Sequence, residues 1–121
     1  MDEKNRIAVI GAGSFGTALA MTLIGKGHEV TLWARRPQQI EEMRLTRQNA
    51  HYLPGALLPG ALCFTDDLEQ AIAGKDLILM AVPTQTFRSV FTQAAAYLDP
   101  RIPVVNVAKG IEKGSMLRLS E

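Results

Sequence analysis

The sequence predicts an α/β domain built on a doubly wound parallel sheet, and three observations lead to this prediction. An apolar segment at residues 7–10 runs directly into the pattern Gly11-x-Gly13-x-x-Gly16. Segments typical of strands alternate with segments typical of helices along the chain. The segment at residues 76–82 is apolar nearly throughout, as in strands covered on both faces. Helices between strands imply right-handed crossovers and parallel pairing, and we expect the strand order 3-2-1-4-5.

Local signals place each predicted element in turn. The predicted strands occupy residues 6–10, 29–34, 61–64, 76–82 and 103–108. The predicted helices occupy residues 14–26, residues 37–47, the segment from Asp66 to near Gly74, and residues 84–98.

The ends of the helices carry recognisable boundary residues. Gly27 is well placed to end the first helix. Pro37 opens the second, because a residue without an N–H leaves no donor unsatisfied in a first turn. Asp66 and Glu69 have the spacing of a capping box, which predicts Asp66 as the N-cap of the third helix. Residues 49–60 contain two prolines and two glycines and are predicted to form a loop.

The glycine pattern predicts a dinucleotide-binding turn, since a strand leads into it and a helix follows at once. Gly11 permits the tight turn, Gly13 lets phosphates approach the backbone, and Gly16 lets the helix pack closely on the strand. The N–H groups at the helix start point at the anion, with the positive end of the helix dipole behind them. The whole unit spans about thirty residues, the size of a βαβ unit in a Rossmann-like domain. The alternative is a structural turn without a ligand.

The end of the second predicted strand indicates which dinucleotide is bound. NAD sites carry an Asp or Glu there, about twenty residues beyond the glycines, which accepts hydrogen bonds from the ribose hydroxyls. This chain has Arg35 and Arg36 at that place and no carboxylate. Guanidinium groups suit a 2′-phosphate by charge and by their forked donors, so we expect NADP, with NAD left open. Alternatively, one arginine stacks on adenine or caps the strand end in solvent.

Composition and charge argue against several other classes of protein. A net charge of +1, without a basic stripe interleaved with aromatic residues, gives no reason to expect a nucleic-acid partner. Cys63 is the only cysteine, which fits a cytoplasmic location, and its apolar neighbours predict a small core residue. The sequence has no cluster of cysteine and histidine residues, so we do not expect a metal site. Residues 7–24 carry no charge, but three glycines near their start argue against a membrane-spanning helix.

Two further residues are placed at the ligand-binding edge of the predicted sheet. Pro83 ends the fourth strand and is expected to turn the chain beside the nicotinamide. Lys109 follows the fifth strand and precedes a glycine. Open α/β sheets bind ligands outside the carboxyl ends of their strands. An ammonium group there can bind a substrate phosphate or stabilise a developing alkoxide; the alternative is a solvated loop lysine.

Four segments together resemble one enzyme family. They are the glycine turn with its helix (residues 11–20), the loop Asn-Ala-His-Tyr-Leu-Pro-Gly (49–55), Met-Ala-Val-Pro-Thr-Gln (80–85) and Asn-Val-Ala-Lys-Gly-Ile-Glu (106–112). In order and spacing the chain resembles the N-terminal domain of the NAD(P)-dependent sn-glycerol-3-phosphate dehydrogenases of bacterial type. Related reductases share the glycine turn but usually lack the Asn-x-x-Tyr-Leu-Pro-Gly loop.

The resemblance implies an activity and a set of site residues. The activity is the interconversion of dihydroxyacetone phosphate and sn-glycerol 3-phosphate with NAD(P)H, which supplies phospholipid synthesis. By resemblance, Ser14 and Phe15 contact the pyrophosphate, and Tyr52 lies beside the same cofactor site. Arg35 and Arg36 match cofactor-binding positions. Lys109 matches the lysine that binds both cofactor and substrate.

The resemblance also implies parts that lie beyond this chain. The general base, a lysine, and most contacts to the substrate phosphate are expected in a helical carboxyl-terminal domain. We therefore expect residues 1–121 to form one dinucleotide-binding domain, incomplete at its carboxyl end and inactive alone. The full-length protein is expected to be a homodimer. Two alternatives stay open: another NADP-dependent reductase of similar fold, of the ketopantoate or hydroxyacid type, or a nucleotide-sensing module without catalysis.

Overall fold

The computed structural model describes residues 5–49, 57–82 and 84–107. The strands are β1 (Arg6–Ile10), β2 (Glu29–Trp33), β3 (Cys63–Thr65), β4 (Leu77–Met80) and β5 (Val104–Asn106). The helices are α1 (Ser14–Gly25), α2 (Pro37–Thr46), α3 (Leu68–Ile72) and α4 (Thr84–Ala95). The predicted elements are thus present, most of them one to three residues shorter at an end.

The five strands form one parallel sheet in the order β3-β2-β1-β4-β5, which confirms the predicted fold class and topology. Ile10, the last residue of β1, is in register with Trp33 of β2 and with Met80 of β4. The carboxyl ends of the three central strands therefore meet at one edge of the sheet. The segments that follow these strands are brought side by side there.

Helices cover both faces of the sheet, as alternation along β1 requires. Ile7 and Val9 belong to the core beneath α1 and α2, together with Ile40 and Met43. Ala8 and Ile10 of the same strand face the core beneath α3 and α4. Burial on both faces explains why β1 and β4 are apolar runs without polar alternation. In the described part of the chain, no helix is long and apolar enough to cross a membrane.

Two predictions about single residues are wrong, and both errors arise at the short edge strand β3. Cys63 is exposed, because it lies at the open amino end of a three-residue strand that pairs on one side only. The N-cap of α3 is Asp67 and not Asp66: the Asp67 carboxylate accepts hydrogen bonds from the backbone N–H groups of Glu69 and Gln70. The Thr65 hydroxyl in turn accepts from the Asp67 N–H at 3.0 Å.

The second helix is one residue shorter than predicted, because Arg47 takes a left-handed conformation with φ 57°. Its guanidinium donates to the Pro59 carbonyl and lies 4.8 Å from the centre of the Phe64 ring. The Leu58 N–H donates to the Arg47 carbonyl at 2.6 Å. Arg47 therefore ties the end of α2 to the segment that leads into β3.

Substitution of the two neighbouring aspartates distinguishes the observed cap from the predicted one. Asp67→Ala should lower the free energy of unfolding by about 1 kcal/mol, because it removes the carboxylate that accepts from the Glu69 and Gln70 N–H groups in the first turn of α3. Asp66→Ala, the matched control, should change it by less than about 0.5 kcal/mol, as exposed substitutions do. Urea unfolding of both variants measures the difference. Equal losses would contradict the cap assignment.

Candidate functional site

The glycine turn leaves the carboxyl end of β1 in a conformation that requires glycine at its first position. Gly11 has φ 122°, a region that side chains rarely adopt, and its N–H donates to the Trp33 carbonyl at 2.9 Å. A Cβ at Gly11 would lie 2.9 Å from the backbone carbon and oxygen of Ala81. The turn is thus wedged between the ends of β2 and β4.

Gly16 allows α1 to approach this turn more closely than any other residue would. A Cβ at Gly16 would overlap the Gly11 carbonyl oxygen and would lie 3.3 Å from the Ala81 side chain. At Gly13, by contrast, a Cβ would meet nothing within 4 Å. Gly16 therefore serves helix packing, and Gly13 borders open space, which the predicted approach of a phosphate requires.

The amino end of α1 has the properties of an anion site. Gly13 is its N-cap and has no side chain that could accept from the first N–H groups, and the first turn has no acidic residue. The first intrahelical bond runs from the Thr17 N–H to the Gly13 carbonyl at 3.0 Å. The remaining N–H groups of the first turn need partners, and the helix dipole favours a negative charge beside them.

Ser14 and Phe15, which lie between Gly13 and Gly16, have different surroundings in the structure. Ser14 is the first residue of α1, so its backbone N–H belongs to the anion-binding end of that helix. Phe15 is half-buried and packs against the core beneath α1 and α2. The Phe15 side chain therefore anchors the helix start, and its backbone remains available for the predicted phosphate contact.

A buried polar cluster beneath the turn was not predicted. The Ala12 carbonyl accepts hydrogen bonds from Asn49 Nδ2 at 2.7 Å and from Gln39 Nε2 at 2.9 Å. Asn49 Nδ2 also donates to the Thr17 hydroxyl at 2.8 Å, and Asn49 Oδ1 accepts from Gln39 at 3.1 Å. Asn49 is 2% exposed and Thr17 is fully buried. Asn49 begins the loop that carries the family resemblance, but its sequence context gave no sign of this contact.

The two arginines lie where the sequence placed them. Both follow β2 and are exposed, and Arg36 is the N-cap of α2 with Pro37 in the first turn. Arg35 lines a hollow of about 610 Å³ together with Trp33, Asp66, Asp67, Leu68, Gln93 and Tyr97. The indole N–H of Trp33 is buried and has no hydrogen-bond partner among the described residues. The carboxyl end of β2 therefore places the exposed Arg35 beside an open space that Asp66 and Asp67 also line, while the Trp33 N–H is enclosed.

The remaining predicted site residues lie outside the described residues. These are Tyr52, Pro83 and Lys109. The strands that lead to two of them are described: β4 ends at Met80 and β5 ends at Asn106, and these two residues are paired. Among the described residues there is no group of three side chains suited to holding a metal ion.

Comparison with known protein families places the chain in one of them. Residues 6–121 match the family described as the N-terminus of NAD-dependent glycerol-3-phosphate dehydrogenase. The chain belongs to this family. The family resemblance inferred from the four sequence segments is thereby confirmed, as is the Rossmann-like fold.

A curated relative and a solved structure agree with the assignment. The glycerol-3-phosphate dehydrogenase [NAD(P)+] of Geobacter metallireducens is 49% identical over all 121 residues, which are 36% of its length. A crystal structure of glycerol-3-phosphate dehydrogenase from Coxiella burnetii superposes with a TM-score of 0.79 at 37% identity. That superposition covers 84% of this chain and 31% of the other. The chain spans about a third of the length of the curated relatives it matches.

The fold alone is shared more widely. A Synechocystis arogenate dehydrogenase has a TM-score of 0.65 and 22% identity, over 85% of this chain and 32% of that one. At that identity the likeness concerns the sheet and its helices. The assignment to a family therefore depends on the sequence matches, and the architecture by itself is common to several dehydrogenases.

Alanine at Gly16 should destabilise the protein, and alanine at Gly13 should not. Gly16→Ala forces a methyl group onto the Gly11 carbonyl, and overpacking of this kind costs about 1–3 kcal/mol or more. Gly13→Ala places its methyl group in open space at a φ of −76°, so the loss should stay below about 1 kcal/mol. Thermal and urea unfolding report both values. Similar losses would mean that α1 can move away from the turn.

Proposed function

We propose that this chain is the cofactor-binding part of an enzyme that interconverts dihydroxyacetone phosphate and sn-glycerol 3-phosphate with NAD(P)H. The observation that carries the proposal is the family match over residues 6–121, since it includes the glycine turn and the segments that follow β4 and β5. Curated relatives are named glycerol-3-phosphate dehydrogenase [NAD(P)+]. The sn-glycerol 3-phosphate formed would supply phospholipid synthesis.

The pyrophosphate of the cofactor would bind at the glycine turn. Gly11 and Gly16 set the geometry of the turn, and Gly13 leaves the space that a phosphate needs. Backbone N–H groups from Gly13 to Phe15 would donate to the phosphate oxygens, with the α1 dipole behind them. A negative group is favoured there because neither a side-chain cap nor an acidic residue competes for these donors.

The adenosine end of the cofactor would lie along the carboxyl end of β2, where Arg35 and Arg36 replace the acidic residue of NAD sites. A guanidinium forms paired, charge-assisted hydrogen bonds with a phosphate group. Both side chains are exposed, so they can reach a 2′-phosphate without losing a partner in the core. This favours NADP, while the relatives named for NAD(P)+ are consistent with some use of NAD.

The nicotinamide and substrate would lie beyond β4 and β5. Pro83 follows β4 and would border the nicotinamide, and Tyr52 would lie beside the cofactor. Lys109 follows β5 by three residues and would bind the substrate as well as the cofactor. An ammonium group beside the substrate carbonyl stabilises the negative charge that develops as hydride is transferred. The general base would come from the remainder of the full-length protein.

Two broader features complete the proposal. A single cysteine, exposed and free, fits a reducing cytoplasm. The full-length enzyme would act on small molecules as a homodimer, without nucleic acid or membrane as partner. Reduction of ketopantoate or of another keto acid is the competing activity, because a solved structure of the 2-dehydropantoate 2-reductase type shares this fold.

The cofactor preference is tested by reversing one charge. Arg35→Asp in the full-length enzyme should weaken NADPH binding by about tenfold or more, because a carboxylate repels the 2′-phosphate that the guanidinium attracted. NADH binding should change little or improve, since a carboxylate can accept from ribose hydroxyls. Fluorescence titration with both cofactors provides the measurement.

The matched control is Arg101→Ala. Arg101 is also exposed, but it pairs with Asp99 in the turn before β5, a strand that lies three positions from β2 in the sheet. Its loss should leave both affinities unchanged. Unaltered NADPH affinity in Arg35→Asp would remove Arg35 from the site.

Two assays test the activity itself: a comparison of two substrates and the variant Lys109→Met. The full-length enzyme should oxidise NADPH with dihydroxyacetone phosphate and not with ketopantoate. Lys109→Met should keep most cofactor binding and lose turnover by about a hundredfold or more, because the charge that stabilises the transition state is removed. Steady-state absorbance at the NADPH band and a separate cofactor titration measure the two properties. Activity with ketopantoate alone would overturn the proposed substrate, and retained turnover in the variant would overturn the role of Lys109.

A further inference from the structure

We propose that Asn49 and Gln39 are positioning residues of the cofactor site, which hold the Ala12–Gly13 peptide so that the Gly13 N–H faces the bound pyrophosphate. The inference rests on the proposed function, since it assumes that the glycine turn binds a dinucleotide. Neither side chain needs to touch the cofactor. Their effect is exerted through a single backbone carbonyl.

Two amide side chains converge on that carbonyl from different parts of the chain. Asn49 Nδ2 reaches the Ala12 oxygen at 2.7 Å from the segment after α2, and Gln39 Nε2 reaches it at 2.9 Å from the first turn of α2. The two amides also bond each other at 3.1 Å, and Thr17 accepts the second bond of Asn49. The Ala12 oxygen therefore has a donor for each of its two lone pairs.

The orientation of the carbonyl determines the orientation of the next N–H. A trans peptide is planar, so the Ala12 C=O and the Gly13 N–H point in opposite directions. The carbonyl points at Asn49, which is 2% exposed, and hence into the protein. The Gly13 N–H therefore points outward, to the side of the turn on which the anion-binding end of α1 opens.

Glycine at position 13 explains why the Ala12–Gly13 peptide needs these two hydrogen bonds. Rotation of the Ala12–Gly13 peptide plane changes ψ of Ala12 and φ of Gly13, and Gly13, like any glycine, accepts a wide range of backbone angles. Rotation of this peptide plane would turn the N–H inward and the carbonyl outward, toward an anion that it would repel. The residues that make room for the phosphate thus leave the peptide free to rotate, and the two amides remove that freedom before the cofactor binds.

The same contact couples the two ends of the proposed cofactor site. Gln39 lies in the helix that Arg36 caps, so one helix holds both the pyrophosphate turn and the arginine beside the 2′-phosphate. Asn49 is the first residue of the loop by which the chain resembles its family. The hydrogen bond to the Ala12 carbonyl gives Asn49 a physical role distinct from any contact with the cofactor.

Single and double variants of the full-length enzyme test the proposal. Asn49→Ala and Gln39→Met each remove one donor, and each should weaken NADPH binding by about fivefold to tenfold. The double variant should lose more than the product of the single losses, because in each single variant the remaining amide still holds the carbonyl. Fluorescence titration gives the affinities, and the ¹⁵N–¹H signal of Gly13 reports the orientation of its peptide.

Two controls separate positioning from general destabilisation. Ile78→Val lowers stability in the centre of β4, away from the turn, and should leave the NADPH affinity unchanged. If Asn49→Ala fails to fold, Gln39→Met still tests the proposal, because Gln39 is only half-buried. Unchanged affinity in the folded variants, while the parent binds NADPH, overturns this inference alone. A parent that does not bind NADPH overturns the proposed function and the inference together.

Discussion

The close approach of α1 to the end of β1 is the constraint on which the rest of the structure depends. At Gly16 the helix lies so near the Gly11 carbonyl that no Cβ would fit between them. This contact places the amino end of a twelve-residue helix at the carboxyl edge of the central strand. The chain leaves β1 over one face of the sheet and leaves β4 over the other, so a crevice opens where these donors are.

The close approach of α1 to β1 requires glycines in the turn, and glycines make a turn flexible. Tertiary contacts remove this flexibility. The Gly11 N–H donates to the Trp33 carbonyl, the Ala81 N–H donates to the Ile10 carbonyl just before the turn, and the Ala12 carbonyl accepts from two amide side chains. The turn is therefore tied to the second strand, the fourth strand and the second helix. A cofactor would meet donors that are already aligned, so less of its binding free energy would be spent on ordering the site.

Much of the fold and of the site could be predicted because the relevant signals are local. Apolar runs bounded by glycine and proline located the strands, and the alternation of strands with helices implied the parallel order β3-β2-β1-β4-β5. The arginines after β2 were found in the same way, since their position relative to the glycines is set by one βαβ unit. The errors lie at β3, where three residues carry too little pattern to show that Cys63 is exposed or that Asp67 caps the next helix.

The sequence by itself determined the class of fold, the glycine turn, the charge beside it and the family. Each of these depends on patterns in short continuous segments and on the order of those segments along the chain. Only the tertiary structure decided which side chains hold the turn. Gln39 and Asn49 act on a carbonyl that lies 27 and 37 residues away along the chain. Neither periodicity nor local preference carries information about such a contact, since it forms only when α2 packs on the sheet beside α1 and brings both amides beneath Ala12.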